Sequence, residues 1–368
     1  MNKIIDKKPK LLILQNNLVE YRMPVFNALS DYYNLTVGYR DNDESVSNKR
    51  FESIRIETRK IGHLFFCKRG FYSFIKQFDI ILFLTDLHNV NFCLLPITNR
   101  AIATVGWSIG FSCSYNKPFD VNRKHTLVDK FYYSVFSLCD SVLFYMKKSY
   151  EFWKRTNLNK DKVFFANNTT AVLPIKAEDK NRKDFLFVGS LYKEKGISVL
   201  IESFSSVIKR FPNDTTLLHI IGDGAEKNEI ERMIHERNLD NRVILHGAIY
   251  DENELSEYFS KSLLCISPYQ AGLSVPKSMG YGVTFVTRKD AITGGELYHI
   301  TNGVNGILYE HDSSLPALLE DAIMNKDKYI QIGNNACDYY NNNATIEIMV
   351  RNIQDALEYA LKHKHSRA

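Results

Sequence analysis

The sequence lacks any apolar run that approaches the ~18 residues of a membrane-spanning helix. Cysteine is also scarce: the six cysteines are scattered, with no Cys-x-x-Cys pair and no histidine at zinc-ligand spacing. These absences argue against a structural metal and a disulfide framework, and favour small buried thiols in a reducing cytosol. Dense runs of lysine and arginine and nucleic-acid-binding motifs are missing as well, so nucleic acid is not an expected partner.

The first residues do not resemble a secretory signal. A charged stretch, residues 1–10, leads into only four apolar residues, 11–14, before polar residues follow. This stretch is too short for the apolar part of a signal peptide, so a cytoplasmic protein is expected. The length of 368 residues predicts two domains, because single cores rarely grow that large.

Charge is divided unevenly between the two halves. Residues 1–180 hold 27 Lys and Arg against 17 Asp and Glu, and residues 181–368 hold 20 against 25, so +10 and −5 give the net +5. A basic first half favours an anionic partner, and a solvated surface of mixed charge is the alternative.

Short buried strand patterns alternate with helical patterns along both halves. Apolar runs such as residues 79–85 and 185–188 read as buried strands, and residues 197–211 as an amphipathic helix. This alternation predicts an α/β fold with doubly wound parallel sheets. A charged, poorly apolar stretch within 168–183 predicts the boundary between domains 1–170 and 181–345, and residues 345–363 read as a final helix.

Three glycine-bearing turns follow strand patterns in the second half and precede helical patterns. They are Gly189-Ser190, Gly222-Asp223-Gly224 and Gly272-Leu273-Ser274. Such turns direct backbone N–H groups and helix N-termini toward one cleft, an arrangement that suits a diphosphate.

The order and spacing of these turns resemble the donor-binding half of GT-B glycosyltransferases, close to the retaining family 4 (glycosyl transferases group 1). The resemblance covers most of the second half and is only topological over the first. It implies two Rossmann-like domains that face a central cleft, a final helix that returns to the first domain, and a nucleotide-diphosphate sugar as donor. It implies no cofactor and no metal, because helix dipoles and lysine would neutralise the diphosphate.

The family pairs a Gly-Arg turn with a lysine five residues after the arginine. Here Gly189 is followed by Ser190 at the arginine position, whereas Lys195 keeps the lysine position. The resemblance therefore assigns Lys195 to the donor diphosphate, with a solvated lysine at a helix start as the alternative. Gly222 lies in a Gly-Asp-Gly sequence at the position of the family's Gly-x-Gly motif. An ordinary strand-to-helix turn is the alternative interpretation.

The family hallmark of two glutamates separated by seven residues is missing. The two positions are Tyr269 and Lys277, and a subset of polysaccharide glycosyltransferases carries a similar Ala-Gly-Leu-Ser pattern beside them. The donor is therefore expected to bind in a different way, or activity is lost. Glu296 is a candidate substitute carboxylate, with a helix-start glutamate as the alternative. The resemblance also implies pyrophosphate contacts from the amides of residues 272–274 and base contacts from the backbone near Ile249.

In the first half, candidate residues follow the carboxyl ends of strand patterns. Asp86 and His88 are candidate bases, which an inverting enzyme would need to deprotonate the acceptor and a retaining one would not. Trp107 and Ser108 are candidates for acceptor contact, with a core tryptophan as the alternative. Arg22 lies in a Tyr-Arg-x-Pro motif shared with similar polysaccharide enzymes, and is expected to face acceptor or donor phosphate.

The sequence thus predicts transfer of a sugar from a nucleotide-diphosphate sugar to a saccharide acceptor in surface polysaccharide biosynthesis, with retention. The basic first half and aromatic clusters (Phe65-Phe66, Phe71-Tyr72 and Phe131-Tyr132-Tyr133) favour a lipid-linked acceptor at the cytosolic face of a membrane, through peripheral contact. The alternatives are an inverting transferase, a nonhydrolysing nucleotide-sugar epimerase and a sugar-nucleotide-binding scaffold without catalysis.

Overall fold

The computed structural model describes residues 8–44, 48–113, 119–173 and 182–364, which divide between two α/β units. Described residues of 8–113, 120–170 and 346–364 belong to the first unit, and Phe119, 171–173 and 182–345 to the second. Most of the charged boundary stretch predicted within 168–183 lies outside the described residues, because they omit 174–181.

The first unit is built on a seven-stranded parallel sheet with the order β3-β2-β1-β6-β7-β8-β9. Its central strands are buried on both faces, as expected when helices cover a parallel sheet. The strands are β1 (Lys10–Gln15), β2 (Asn34–Tyr39), β3 (Glu52–Arg55), β6 (Ile80–Leu84), β7 (Ala103–Ser108), β8 (Ser141–Phe144) and β9 (Val163–Phe165). An antiparallel hairpin, β4 (Thr58–Ile61) and β5 (Leu64–Cys67), precedes β6.

Helices of the first unit connect these strands. They are α1 (Met23–Leu29), α2 (Phe71–Ile75), α3 (Val90–Thr98), α4 (Leu127–Leu138) and α5 (Lys147–Glu151). Helix α4 begins with a capping box, in which Thr126 and Asp129 bond each other's backbone N–H. The cap explains why the helix begins at Leu127.

The second unit holds a six-stranded parallel sheet with the order β12-β11-β10-β13-β15-β17. Its strands are β10 (Asp184–Val188), β11 (Leu218–Ile221), β12 (Val243–Gly247), β13 (Ser262–Ile266), β15 (Thr284–Arg288) and β17 (Ile307–Tyr309), and β14 (Gln270–Ala271) pairs with β16 (Ile292–Thr293) outside it. Its helices are α6 (Ile197–Arg210), α7 (Lys227–Glu236), α8 (Glu252–Lys261), α9 (Ser274–Gly280), α10 (Leu315–Met324) and α11 (Lys326–Asn343). The predicted apolar face of α6 is buried on this sheet.

The final helix, α12 (Ile346–Lys364), packs in the first unit although the chain reaches it from the second. Met349, Ile353 and Leu357 are buried in the core that includes β1, β6 and β7. The hydroxyl of Ser141 on β8 also donates to the carbonyl of Ala356, 2.8 Å away.

One strand of the first unit extends beyond its predicted end. The sequence pattern placed Trp107 and Ser108 after the end of a strand, but β7 continues to Ser108 and pairs with β8 up to Phe144. A Cβ at Gly106 would lie 3.1 Å from the Thr85 hydroxyl, so this glycine permits close packing rather than a turn. The extension carries Trp107 and Ser108 into the core.

Candidate active site

Lys195 ends a short 3-10 turn that leads from β10 into α6. Its ammonium nitrogen lies beside the Gly189 turn, 3.5 Å from where a Cβ on Gly189 would stand. Among the described residues no carboxylate pairs with it, and burial lowers its pKa to about 8. A partly desolvated ammonium without a counter-ion favours binding of an anion.

The turns after β10 and β11 contact each other backbone to backbone. A Cβ on Gly222 would lie 1.9 Å from the carbonyl oxygen of Gly189, and a Cβ on Gly224 2.4 Å from that of Leu191. The N–H of Gly189 donates to Ile221 and the N–H of Gly222 donates to Gly247. Glycine is therefore required at positions 222 and 224 for loop packing. The N–H groups of Gly189 and Gly222 are not available to a phosphate, contrary to the expectation for a donor-binding turn.

Other amides beside Lys195 remain available. The described residues provide no acceptor for the N–H of Ser190, Gly272, Leu273 or Ser274, and Ser190 is exposed. The N–H of Tyr269 donates to the Lys195 carbonyl, at 3.3 Å, which joins the turn after β10 to the loop before α9. Because β10 and β13 are neighbours, the ammonium and these amides lie at the carboxyl ends of adjacent strands.

Tyr269 supports the Lys195 turn with its ring. A Cβ on Gly196 would lie 2.7 Å from that ring, and the Tyr269 hydroxyl donates to Asp312 Oδ2 at 2.5 Å. The guanidinium of Arg288 lies over the same ring, 4.8 Å from its centre. Burial and the Asp312 carboxylate raise the pKa of Tyr269 to about 12. The hydroxyl is thus engaged within the unit, so the predicted contact with a donor sugar would fall to other groups.

Lys277 is part of a three-residue cluster that the sequence did not reveal. Its ammonium lies 2.5 Å from Glu252 Oε2, and the hydroxyl of Tyr281 donates to Glu252 Oε1. Glu252 opens α8, whereas Lys277 and Tyr281 lie on and just after α9. A carboxylate therefore occupies the neighbourhood of the position where the family pattern has its second glutamate.

Glu296 and Ile249 occupy different environments. Glu296 is buried at the start of a 3-10 turn, with one carboxylate oxygen 3.5 Å from the Thr293 hydroxyl. Ile249 is half-buried against the core beneath α8 and α9, and the next residue, Tyr250, is 89% exposed. The sequence analysis missed Tyr250, whose aromatic ring is open to solvent beside the loop predicted to contact the base.

Asp86 and His88 form a dyad after β6 in the first unit. Asp86 Oδ1 accepts from the His88 N–H at 3.0 Å and lies 2.7 Å from His88 Nδ1, while Oδ2 accepts from Asn16 and Asn89. These hydrogen bonds, the largest from the His88 backbone, outweigh burial and hold the pKa of Asp86 below its usual range. His88 is exposed and its ring is oriented by Asp86, so the better base of the pair is His88.

The side chains of Trp107 and Ser108 are buried, so neither the indole ring face nor the serine hydroxyl is exposed for stacking or contact with an acceptor. The Trp107 ring is fully buried in the core under α12, and the Ser108 hydroxyl accepts from the Gly110 N–H at 3.0 Å. The stacking role predicted for Trp107 is therefore replaced by packing. Arg22 is also buried: its Cζ lies 4.4 Å from the Trp107 ring centre, and its Nη2 donates to the Tyr145 hydroxyl at 2.6 Å.

The described residues contain neither a cluster of metal ligands nor a membrane-spanning helix. No group of three or more His, Cys, Asp and Glu side chains in the described ranges could hold a metal ion. In the same ranges, no helix combines the length and apolarity needed to cross a bilayer.

Comparison with known proteins addresses the second unit directly. Residues 169–338 match the family model of glycosyl transferases group 1. Over this range the second unit is similar to that glycosyltransferase family. The matched range contains Lys195, the Gly272–Ser274 amides and the Glu252–Lys277 pair, so the groups described above lie within the region of similarity.

Individual relatives extend the comparison along the chain. An uncharacterized glycosyltransferase of Haemophilus influenzae is 23% identical over 246 residues, 66% of each chain. The poly(glycerol-phosphate) alpha-glucosyltransferase of Bacillus subtilis is 28% identical over 207 residues, 52% of this chain and 29% of the relative. The matches thus span just under two thirds of the first relative and under a third of the second. The family match and these relatives support the predicted transferase enzyme.

The structural comparison confirms the predicted GT-B fold. The Anabaena protein Alr3699/HepE, solved in complex with UDP and glucose, superposes with a TM-score of 0.68. The superposition covers 95% of this chain and 99% of the Anabaena protein at 14% sequence identity, so it extends over both α/β units.

Proposed function

We propose that the chain is a glycosyltransferase that binds a nucleotide-diphosphate sugar in its second unit and transfers the glycosyl group to a saccharide acceptor. The observation that carries this proposal is the half-buried Lys195 ammonium, which has no carboxylate partner among the described residues, at the same end of the sheet as the available amides of Ser190 and Gly272–Ser274. Together these groups supply one positive charge and several N–H donors, which match a diphosphate. UDP is the first nucleotide to test, because the Anabaena neighbour was solved with it.

The reaction breaks the bond between the anomeric carbon and the diphosphate, and forms a bond from that carbon to an acceptor hydroxyl oxygen. Lys195 and the amides stabilise the negative charge that develops on the leaving diphosphate. In the retaining course that we favour, the acceptor attacks from the side of the leaving group, and the departing phosphate takes its proton. No protein base is then required. The name of the Bacillus relative, an alpha-glucosyltransferase, supports this course, because an α product from an α-linked donor is retention.

The inverting course is the second candidate because of the Asp86–His88 dyad. Asp86 orients the exposed imidazole, which leaves Nε2 free to take a proton from an acceptor hydroxyl. The NMR coupling constant of the anomeric proton in the first-formed product separates the two courses. A product with the donor's configuration supports retention, whereas the opposite configuration assigns the base to His88.

A donor screen tests the proposal itself. Thermal melts of the purified protein with UDP, GDP, CDP, dTDP and their sugars should show one nucleotide that raises the Tm, since ligands stabilise the state that binds them. Transfer from the selected nucleotide sugar to a saccharide panel is then expected. Selective binding without transfer or epimerisation would instead favour the scaffold, and conversion of the free nucleotide sugar would favour the epimerase.

Glu252 is expected to contact the donor ribose. Its carboxylate is half-buried, is oriented by Lys277 and Tyr281, and retains acceptor capacity for a ribose hydroxyl. Glu252→Ala should therefore weaken UDP binding by about tenfold to a hundredfold, the range for a hydrogen bond to a charged group. Binding of 2′,3′-dideoxy-UDP should be unaffected, as measured by calorimetric titration of both nucleotides.

The exposed Glu254, two residues along α8, is the matched control. Glu254→Ala should bind both nucleotides as wild type does. An equal loss of both nucleotides in Glu252→Ala would show that the cluster only fastens α8 to α9, and would contradict the ribose contact.

A lipid-linked acceptor is supported by the outer surface of α3 and α4, which contact each other. Leu127 and Phe131 on α4 are 72% and 65% exposed, and Ile97 on α3 is exposed too. Lys124 and Lys130 flank these side chains, so apolar and basic groups share one surface, as at a peripheral membrane contact. Of the aromatic clusters predicted there, Phe131 is exposed, whereas Phe71 is buried.

The Leu127→Ser, Phe131→Ser double variant should lose association with vesicles of phosphatidylcholine and phosphatidylserine. Each side chain contributes about 1.5–3 kcal/mol when fully buried, so a loss of at least tenfold is expected. Co-sedimentation measures the effect, and wild-type binding should weaken with salt. Met324→Ser is the control, since Met324 is 61% exposed in the second unit. Absence of salt-sensitive wild-type binding would exclude this surface as a membrane contact.

A further inference from the structure

Arg22 is a buried cation without a carboxylate partner. It is 6% exposed, and no ion pair to it occurs among the described residues. The titratable groups that interact most strongly with it are the hydroxyls of Tyr21 and Tyr145. Buried guanidinium groups are ordinarily paired, because an uncompensated buried charge destabilises a protein by several kcal/mol. The first unit therefore accommodates a charge whose compensation is missing.

Three N–H groups in this region find no acceptor within the part of the chain that the structure describes. They are Arg22 Nη1, the Gln15 side-chain nitrogen Nε2 and the Trp107 indole nitrogen Nε1, and all three atoms are fully buried. Buried donors nearly always find a partner, so three together in one region require an explanation.

The sheet register places Gln15 and Trp107 at one level of the sheet, with one strand between them. Leu14 on β1 pairs with Phe83 on β6, so Gln15 falls opposite Leu84, and Leu84 pairs with Trp107 on β7. Side chains at one level of a parallel sheet point to the same face, and the Arg22 guanidinium lies over the Trp107 ring on that face. All three donors therefore lie at the carboxyl ends of β1 and β7, where open α/β sheets bind ligands.

The chemistry of these groups selects the ligand. One guanidinium, one carboxamide NH₂ and one indole N–H offer hydrogen-bond donors and a positive charge, which match an oxyanion. The rings of Trp107, Tyr145 and Tyr21 line the guanidinium and strengthen any ionic contact by excluding water. Tyr21 and Tyr145 are half-buried and reach the surface, whereas Trp107 is fully buried below them.

We propose that Arg22, Gln15 and Trp107 form an oxyanion site in the first unit, which takes a phosphate or carboxylate group of the acceptor. This assignment to the acceptor rests on the proposed function. The site itself does not, because it is argued from unpaired charge and unpartnered donors.

The test measures thermal melting and intrinsic fluorescence of the full chain during titration with inorganic phosphate. Lys195→Met serves as the background, so that the donor site does not contribute. Phosphate should raise the Tm and change the tryptophan emission in this background. Addition of Arg22→Met should weaken both responses by at least tenfold. Addition of Trp107→Phe, which keeps an aromatic ring but removes the N–H, should weaken the Tm response several-fold.

A second readout separates a ligand site from a structural arginine. Without phosphate, Arg22→Met should melt at or above the temperature of its parent, because methionine replaces an unpaired buried charge. A lower Tm without any phosphate-dependent difference would identify a structural guanidinium and overturn the proposal. Absence of a phosphate response in the Lys195→Met parent would also overturn it, and would assign the three donors to ordered water.

Three further titrations identify the source of the anion. Glycerol 3-phosphate and glucuronate are compared in the same background, and the one that shifts the Tm through Arg22 identifies a phosphorylated or an acidic acceptor. UDP is titrated into wild type and Arg22→Met. Equal UDP affinities of the two proteins would support the assignment of the anion to the acceptor. Weaker UDP binding in Arg22→Met would show that the anion belongs to the donor, and would overturn the assignment to the acceptor. If UDP binds neither protein while phosphate still acts through Arg22, the proposed function fails and the oxyanion site stands.

Discussion

The Lys195→Met variant is expected to bind the nucleoside diphosphate roughly 10- to 150-fold more weakly than wild type. The range corresponds to the loss of a charge-assisted hydrogen bond, about 1.5–3 kcal/mol. Turnover should fall further, by about 10²–10³-fold, because the ammonium also stabilises charge that develops on the leaving diphosphate. Calorimetric titration measures the first effect and initial rates under saturating donor measure the second.

The pKa of Lys195 adds a signature that a purely structural lysine would not give. Burial lowers this pKa to about 8 in the free protein, so the ammonium is fully charged below that pH and loses its proton above it. Anion binding favours the charged form and raises the pKa. Affinity should therefore be constant on the acid side, apart from titration of the phosphate itself, and should fall up to tenfold per pH unit above pH ~8. Lys195→Met should show no such fall.

Lys193 provides the matched control. It belongs to the same 3-10 turn but is exposed, so Lys193→Met should keep wild-type affinity and the wild-type pH profile. If both variants lose affinity equally, the effect comes from the net charge of the turn. Wild-type affinity in Lys195→Met would remove the observation on which the proposed function depends.

The second unit could be predicted closely because its local signals agree with its packing. Each strand is a short apolar run and each following turn carries glycine, so β10, β11 and β13 appear near their predicted places. Lys195 stands in the expected turn for the same reason. The roles of the glycines were harder to predict, because Gly222 was expected to lie in a phosphate-binding turn. In the structure its N–H donates to the Gly247 carbonyl, and a Cβ at this position would overlap the Gly189 carbonyl oxygen.

Contacts between distant segments account for much of what the sequence did not show. Glu252 and Lys277 are 25 positions apart on different helices, and Tyr269 meets Asp312 across 43 positions. No periodicity encodes such pairs, because they arise only when α8, α9 and β17 are placed around the same sheet. The sequence therefore shows that Lys277 replaces the second glutamate of the family pattern. It does not show that the Glu252 carboxylate lies beside Lys277 in the folded chain.

Burial of polar groups misled the interpretation of the first unit. Trp107 was expected to follow the end of a strand, yet β7 carries it into the core. Arg22 was expected to face a phosphate, but composition gives no sign that its guanidinium will be buried without an ion pair to any described residue. Asp86 and His88 were both identified as candidate bases, but the hydrogen bonds that make His88 the better base involve Asn16 and Asn89, which the sequence analysis did not single out.

Gly222→Ala is expected to have the largest effect on stability. Its Cβ would lie 1.9 Å from the Gly189 carbonyl oxygen and 2.9 Å from the Gly189 carbonyl carbon, both of them backbone atoms, and the φ angle of 152° lies where side chains are rarely accommodated. Relief of this overlap would break the hydrogen bond from Gly189 to Ile221 or that from Leu191 to Asp223. A loss above about 4 kcal/mol is therefore expected, and the Tm should fall by at least about 8 °C.

Gly303→Ala separates the overlap from backbone strain in the same unit. Gly303 has a φ of 75°, but a Cβ there would meet no heavy atom within 4 Å. Its substitution should cost only the left-handed conformation, about 1–2 kcal/mol, or a few degrees in Tm. Because the turn that Gly222 supports leads to Lys195, Gly222→Ala should also lose nucleotide binding at temperatures where it is still folded, whereas Gly303→Ala should not. Equal melting temperatures for the two variants would show that the turns after β10 and β11 can move apart with little loss of stability. The position of Lys195 would then not depend on the contact between these turns.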